Sequence, residues 1–152
     1  MNENWSWWFS SQGEKENLDK VGSGNSELDE KAKQVFRILI VEDESVTRET
    51  LGKILKEEGY DVITTEDGFK AIEKVNEVPF NFVLMDIKLP GMNGVEALKV
   101  IKKINPAIKV VMITAYPVQG LIKEALQEGA YTCIYKPFEV QDILNIINKI
   151  RG

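Results

Sequence analysis

The sequence predicts an α/β fold in which a doubly wound sheet of five parallel strands is covered by five helices. From Phe36 onward, short apolar runs rich in β-branched residues alternate with segments whose apolar residues recur at helical spacing. Two of these runs, residues 38–41 and 110–113, are continuously apolar, which is typical of central strands buried on both faces. Strands that alternate with helices favour a parallel sheet with helices on both sides.

The elements follow one another from residue 37 to residue 150. The predicted strands are residues 37–41, 61–64, 80–85, 109–113 and 131–135. The predicted helices are residues 45–58, 68–76, 94–104, 118–128 and 140–150. Right-handed crossovers between parallel strands leave few arrangements, and the flavodoxin-like strand order 2-1-3-4-5 fits this alternation.

Local signals support the helix assignments. In the first helix one apolar stripe contains Val46, Leu51, Ile54 and Leu55. Gly59 and Gly129 stand where helices often end on a left-handed residue. Pro117 can open the fourth helix, because the first turn of a helix does not need its amide hydrogen.

Composition excludes several classes of function. The chain has 152 residues, 43% of them apolar and 28% charged, with a net charge of −5 and no histidine. These values suit one globular domain and provide neither the basic surface that nucleic acid requires nor a histidine for catalysis or zinc binding. The single cysteine, Cys133, fits a reducing compartment, so we expect a cytoplasmic protein. No apolar run is long enough to cross a bilayer.

The first 35 residues differ from the rest of the chain. They are polar and glycine-containing, so we predict a flexible N-terminal extension at 1–35 and a folded domain at 36–152. The extension carries an aromatic cluster of Trp5, Trp7, Trp8 and Phe9. This cluster is interpreted as part of an unstructured tail, with a short docking motif or a membrane-interface contact as alternatives.

Polar side chains follow the predicted strands at their carboxyl ends, where ligands bind in such sheets. Glu42 and Asp43 follow strand 1, Asp86 follows strand 3, Thr114 follows strand 4 and Lys136 follows strand 5. Converging carboxylates repel one another unless a cation joins them. Ligands that are all oxygen favour a hard ion such as Mg²⁺, which commonly shares phosphate oxygens. The pattern therefore predicts phosphoryl chemistry.

Each of these residues then has a role. Asp86 is the candidate nucleophile, since a carboxylate can form an acyl phosphate. Glu42, Asp43, Asp86 and a main-chain carbonyl near Lys88 would hold the metal ion. Lys136 would neutralise charge on the phosphoryl oxygens, and Thr114 would donate its hydroxyl to one of them.

Taken singly, these residues have ordinary explanations. Acidic residues 42–44 could simply cap the first helix, and Asp86 could be a turn residue. Thr114 and Lys136 could be ordinary surface residues. The joint placement of all of them at four strand ends favours the functional interpretation.

Five motifs resemble the receiver domain of bacterial response regulators. They are residues 40–44 (Ile-Val-Glu-Asp-Glu), Asp86 followed by residues 89–94 (Leu-Pro-Gly-Met-Asn-Gly), Thr114-Ala115, and Lys136-Pro137-Phe138. They occur in order over residues 37–151, and the chain is most similar to single-domain, sporulation-type phosphorelay receivers.

This resemblance implies phosphorylation of Asp86 by a sensor histidine kinase or a histidine phosphotransferase. It also implies metal coordination by Glu42 and Asp43 and a cis bond before Pro137. Family members present helix 4, strand 5 and helix 5 to a downstream target protein or to a second copy in a homodimer. Nothing follows the last helix except Arg151 and Gly152, so we expect output through protein contacts.

The chain departs from the family pattern at one position. An aromatic switch residue usually stands three positions before the strand 5 lysine, where this chain has Cys133. Tyr131 and Tyr135 share its strand face without occupying its position. Lys88 and Tyr116 flank the phosphoryl site and should govern how fast water reaches the acyl phosphate. A lysine and an aromatic residue also occur at these positions in sporulation-type phosphorelay receivers, which this chain resembles, so we expect a fairly long-lived phosphoryl group.

Three alternatives stay open at this point. The chain could be a receiver cut from a larger regulator. It could be a phosphatase or phosphotransferase with an aspartyl-phosphate intermediate, although no lid or second placed acid is evident. It could also be a degenerate receiver that acts as an interaction module without phosphorylation.

Overall fold

The computed structural model describes residues 35–115 and 118–152. The strands are β1 (Arg37–Val41), β2 (Asp61–Thr65), β3 (Phe82–Asp86), β4 (Lys109–Thr114) and β5 (Thr132–Tyr135). The helices are α1 (Ser45–Glu57), α2 (Gly68–Glu77), α3 (Gly94–Ile104), α4 (Gln119–Gln127) and α5 (Val140–Arg151). The predicted extension up to residue 34, with its aromatic cluster, lies outside these ranges, as do Tyr116 and Pro117. The domain boundary therefore stays a prediction.

The sheet has the predicted topology. Its five strands are all parallel and lie in the order β2-β1-β3-β4-β5. Val41 pairs with Thr65 on one side and Met85 on the other, and Thr114 pairs with Tyr135. This register brings the carboxyl ends of the strands to one edge of the sheet, which is called the carboxyl edge below.

Two apolar clusters cover the two faces of the sheet. Leu39 and Val41 of β1 contribute to the cluster beneath α2, α3 and α4, whereas Ile38 and Ile40 contribute to the cluster beneath α1 and α5. These four side chains are completely buried. The prediction that central strands are buried on both faces is therefore confirmed.

The helix boundaries follow from local hydrogen bonds. The Glu44 carboxylate accepts from the amides of Val46 and Thr47 at 3.1 and 2.8 Å, which caps the start of α1. Gly59 and Gly129 follow α1 and α4 with φ angles of +97° and +103°. Both glycines thus have the predicted left-handed conformation, which residues with a Cβ atom rarely adopt.

Two details of the sequence prediction are wrong. Val46 does not belong to the buried stripe of α1, because its side chain is 68% exposed. It lies in the first turn of α1 and does not belong to the apolar cluster that contains Leu51 and Leu55. The third strand begins at Phe82 rather than at residue 80. Phe80 is buried like a strand residue, but the Asn81 side chain accepts the Arg37 amide at 2.8 Å.

The opposite end of the sheet, the amino edge, is held by aromatic and ionic contacts. The rings of Phe36 and Tyr60 pack edge to face with centroids 5.6 Å apart. The Arg151 guanidinium lies 5.2 Å from the Phe36 centroid and 5.7 Å from that of Tyr60, within cation–π range. The end of α5 is thereby joined to the start of β1. None of the described helices is long and apolar enough to span a membrane.

Candidate functional site

The polar residues predicted at the strand ends come together at the carboxyl edge. Glu42 directly follows β1, Asp86 ends β3, Thr114 ends β4 and Lys136 directly follows β5. Glu42, Asp86 and Thr114 are only 1%, 5% and 2% exposed. Burying two carboxylates costs free energy unless a cation compensates them, so their neighbours decide what the site can do.

Lys136 joins the two buried carboxylates. Its Nζ atom donates to Glu42 Oε1 and to Asp86 Oδ2, both at 2.8 Å. The second oxygen of Glu42 accepts the Glu44 amide at 3.1 Å, and the second oxygen of Asp86 accepts the Lys88 amide at 3.0 Å. Each carboxylate oxygen thus has a donor, which fixes the orientation of both groups.

Burial and pairing shift the ionisation of this cluster. Burial raises the pKa of Glu42 above its ordinary value, and this effect outweighs the hydrogen bonds from Lys136 and the Glu44 amide. Burial alone would lower the pKa of Lys136, but its hydrogen bonds with Asp86 and Glu42 raise that pKa overall. Lys136 therefore stays protonated at neutral pH.

Asp43 adds a third carboxylate. One oxygen from each of Glu42, Asp43 and Asp86 lies within 4.8 Å of the other two. The three carboxylates and the Lys136 ammonium, which bonds two of them, have a summed formal charge of −2. Two oxygens on opposite sides of Mg²⁺ are about 4 Å apart, so this oxygen cluster needs little adjustment to fit the ion. Charge and donor type therefore fit a hard divalent cation.

The three consecutive acids after β1 have different roles. Glu42 is buried and points to the cluster, whereas Asp43 is exposed and contributes an oxygen at its rim. Glu44 faces away and caps α1 through its contacts with Val46 and Thr47. The capping explanation of this motif thus holds for the third acid only.

Arg48 was not identified from the sequence. Its guanidinium donates to the carbonyl oxygens of Glu42 and Asp43 at 2.9 and 3.2 Å. These bonds tie the loop between β1 and α1 to the second turn of the helix, and they leave the acid side chains available. The only sequence signal is a basic residue one turn after a helix cap, which is too common to indicate this contact.

The loop between β3 and α3 depends on Gly94. The Gly94 amide donates to the Ile87 carbonyl at 2.7 Å. A Cβ atom at this position would overlap the Asp86 carbonyl oxygen and would lie 2.9 Å from Ile87 Cα. Only glycine lets α3 begin this close to Asp86. The predicted use of the Lys88 main-chain carbonyl as a metal ligand stays a prediction.

The backbone also links β4 to the lysine of the site. The Lys136 amide donates to the Thr114 carbonyl at 2.8 Å, next to the pairing of Thr114 with Tyr135. The peptide bond between Lys136 and Pro137 is cis, as the family resemblance implied. Thr114 is thus placed at the same edge as the acids, and the role of its hydroxyl stays a prediction.

Cys133 lies half-buried on β5, where the family pattern has an aromatic residue. Its side chain packs against the apolar cluster beneath α4, and burial raises the pKa of its thiol. These surroundings suit a small packing residue better than a reactive thiol. Tyr131 and Tyr135, on either side of it, are exposed.

Comparison with known proteins agrees with the geometry. Residues 38–148 match the family model for the response regulator receiver domain. The chain is 40% identical over 114 residues to the chemotaxis protein CheY of Bacillus subtilis, a match that covers 74% of this chain and 95% of that protein. It is 36% identical over 113 residues to the sporulation initiation phosphotransferase F of the same organism, with coverage of 74% and 91%.

Solved structures give the same result. A CheY-like response regulator receiver domain protein from Methanospirillum hungatei superposes with a TM-score of 0.75 at 34% sequence identity. The superposition covers 76% of this chain and 93% of that one. Fold and sequence thus agree over the region that carries the acids, the threonine and the lysine.

Proposed function

The chain belongs to the response regulator receiver family, whose CheY-type members are signalling switches rather than conventional enzymes, and on this premise we propose that Asp86 is its phosphoacceptor. The phosphoryl group would come from a phosphohistidine on a sensor histidine kinase or a histidine phosphotransferase. The observation that carries this proposal is the Lys136 ammonium, which bridges Asp86 and Glu42 beside a third carboxylate.

The transfer is a displacement at phosphorus. A carboxylate oxygen of Asp86 forms a bond to phosphorus while the bond from phosphorus to the histidine nitrogen breaks. The bonding electrons leave with the imidazole, which takes up a proton from water. Such transfer depends mainly on positioning and charge neutralisation. The Lys88 amide and Lys136 hold the Asp86 carboxylate in a single orientation for this attack.

Glu42, Asp43 and Asp86 would hold Mg²⁺, with the Lys88 carbonyl as a further ligand. When bound, the ion supplies positive charge to the phosphoryl oxygens. The formal charge of −2 around this cluster supports a divalent cation, because a monovalent cation would leave repulsion uncompensated.

Lys136 and Thr114 would act on the phosphoryl group itself. Phosphorylation of Asp86 attaches the phosphoryl group to a carboxylate oxygen and gives an acyl phosphate. The Lys136 ammonium already lies within hydrogen-bond distance of that carboxylate. It is therefore placed to compensate the added charge. Thr114, buried at the end of the adjacent strand, would donate its hydroxyl to a phosphoryl oxygen.

Output would pass through protein contacts. We propose that the face formed by α4, β5 and α5 meets a downstream target or a second copy of the chain. The exposed apolar side chains of Val118, Leu126, Tyr131 and Tyr135 support this assignment. A folded domain at 36–152 and a cytoplasmic location complete the proposal.

Intact-mass analysis tests the phosphoacceptor. The full chain is incubated with acetyl phosphate and Mg²⁺, and we expect the mass of one phosphoryl group to be added. The Asp86→Asn variant should show no addition, and EDTA should abolish it in the wild type. Asp61→Asn is the matched control, because it changes the same residue type at the amino edge.

Two results would contradict the proposal. One is the absence of any phosphoryl addition to the wild-type chain at all times sampled, including the first seconds after mixing. The other is equal addition to the wild-type chain and the Asp86→Asn variant, which would place the acceptor on another residue.

A further inference from the structure

Exposed apolar side chains concentrate on one face of the domain. Among the described residues, eight large apolar side chains are exposed, and four of them lie on or beside α4 and β5. These four are between 44% and 53% exposed: Val118, Leu126, Tyr131 and Tyr135. The others are scattered over the surface: Val35, Val46, Phe69 and Val100. Concentrated apolar surface of this kind marks an interaction site more often than isolated exposed residues do.

The four side chains form one strip. Cys133 packs against the cluster that also contains residues of α4, and alternation along β5 places Tyr135 on the same side as Cys133. Tyr131 directly precedes β5, and its amide donates to the Val110 carbonyl at 2.7 Å, so the alternation extends to Tyr131. Because α4 lies between β4 and β5 in the chain, it runs antiparallel to β5. Leu126 near the end of α4 is therefore level with Tyr131, and Val118 is level with Tyr135. We name these four residues the α4–β5 strip.

We propose that the aromatic segment at residues 5–9 of the same chain docks on the α4–β5 strip. This segment contains Trp5, Trp7, Trp8 and Phe9, and it lies outside the described residues. Each such ring buries about 150–250 Å² when it packs, and aromatic rings pair well with tyrosines. The chain thus carries an apolar occupant of the type that the strip fits.

The connection is long enough for docking within one molecule. The described residues begin at Val35. The ring of the next residue, Phe36, contacts Arg151 at the end of α5. Residues 10–34 would link this point to the aromatic segment. A fully extended chain of about 25 residues can reach roughly 80 Å. In the sheet, β1 and β5 are only three strand spacings apart, or about 14 Å.

Two arguments favour this segment over an external occupant. A tethered segment faces its site at an effective concentration of the order of millimolar, so even weak apolar contacts suffice. The first twelve residues contain no lysine or arginine, which disfavours a membrane surface as the competing partner. The docked segment would cover part of the face proposed for target binding, a consequence that rests on the proposed function.

Tryptophan fluorescence tests the docking directly. All three tryptophans lie at positions 5, 7 and 8, so emission of the full chain reports only on the aromatic segment. We expect emission at shorter wavelength than in urea and restricted quenching by acrylamide. Leu126→Glu should raise the quenching constant by about twofold, because a carboxylate on the strip opposes burial of an indole. Val46→Glu introduces the same carboxylate at an exposed apolar position on α1, outside the strip, and should leave quenching unchanged.

The outcomes separate the alternatives. Tyr131→Ser should act in the same direction as Leu126→Glu, and circular dichroism establishes that each variant is folded. Equal quenching in the wild type and both strip variants would overturn the proposal. Protection that disappears on dilution would also overturn it, because the occupant would then be a second copy. The measurement needs no phosphoryl donor, so its result is independent of the role of Asp86.

Discussion

Lys136 and Lys102 are both half-buried, but they lie at opposite ends of the sheet and have opposite surroundings. Lys136 at the carboxyl edge contacts two carboxylates, and these contacts raise its pKa. Lys102 near the amino edge donates to the main-chain carbonyls of Pro106 and Ile108 at 2.8 and 3.0 Å. Burial, with a smaller contribution from Lys109, lowers the pKa of Lys102.

The difference shows how the fold separates function from stability. At the carboxyl edge, the Lys136 ammonium bonds two of three clustered carboxylates, and the uncompensated negative charge fits the cation that the proposed function requires. Near the amino edge, the Lys102 ammonium donates to two main-chain carbonyl oxygens in the loop between α3 and β4. A substitution at the first end should therefore change chemistry, whereas one at the second should change the free energy of unfolding.

The largest effect is expected from Lys136→Met. Loss of a donor that stabilises developing charge typically slows a reaction about 10²–10³-fold. We expect this decrease in the initial rate of phosphorylation by acetyl phosphate at saturating Mg²⁺, measured by intact mass. Lys102→Met removes the same side chain at the other end and should leave the rate within about twofold of wild type. Similar slowing in both variants would contradict the contrast between Lys136 and Lys102, because the loss would then not depend on contact with the carboxylates.

Gly94→Ala should change both the free energy of unfolding and the rate of phosphorylation. The new methyl group would overlap the Asp86 carbonyl, so the loop before α3 has to shift. We expect a loss of about 1–3 kcal/mol in the free energy of unfolding, measured in urea, together with slower phosphorylation. Gly120→Ala is the control, because a Cβ atom there has nothing within 4 Å. That change should stabilise the protein by up to about 1 kcal/mol, because alanine favours helix.

If the Gly94→Ala variant has the same urea midpoint as the wild type, then the start of α3 beside Asp86 does not require a glycine. The close approach would then have no energetic consequence, and the structural explanation of this position would be wrong.

Lys102→Met should lower the free energy of unfolding without changing the rate of phosphorylation. The carbonyls of Pro106 and Ile108 would lose their Lys102 donor, at a cost of about 1–3 kcal/mol in the free energy of unfolding. Urea unfolding monitored by circular dichroism measures the change. An unchanged midpoint would indicate that water replaces the ammonium and that this contact does not stabilise the loops.

The smallest effect is expected from Asp61→Asn at the amino edge. Arg37 Nε lies 2.7 Å from Asp61 Oδ2, but the Asp61 side chain is 47% exposed. Solvent screening limits such a pair to at most about 1 kcal/mol. We expect a slightly lower urea midpoint at low salt and a smaller difference at high salt. A difference that does not depend on salt would point to lost packing instead of lost charge.

Most of the fold could be predicted from the sequence, because strand and helix periodicities are local and strongly alternating here. The convergence of the strand-end residues Glu42, Asp86, Thr114 and Lys136 could also be predicted, since parallel strands bring their carboxyl ends to one edge. The roles of these residues stay predictions. The contributions of Arg48, Gly94 and Lys102 could not, because each depends on contacts with main-chain carbonyls from another turn or loop. Periodicity also placed Val46 on the buried stripe, since the spacing of apolar residues does not show which turns of a helix reach the apolar cluster.

The most direct test of the central claim is to locate the phosphoryl group by borohydride trapping. Borohydride reduces an aspartyl phosphate to homoserine and leaves unmodified aspartates intact, so peptide mass spectrometry can identify the modified position. After treatment with acetyl phosphate and Mg²⁺, we predict homoserine at position 86 in the wild-type chain and at no position in the Asp86→Asn variant. A modified residue elsewhere, with Asp86 unreduced, would contradict the assignment of Asp86 as the phosphoacceptor.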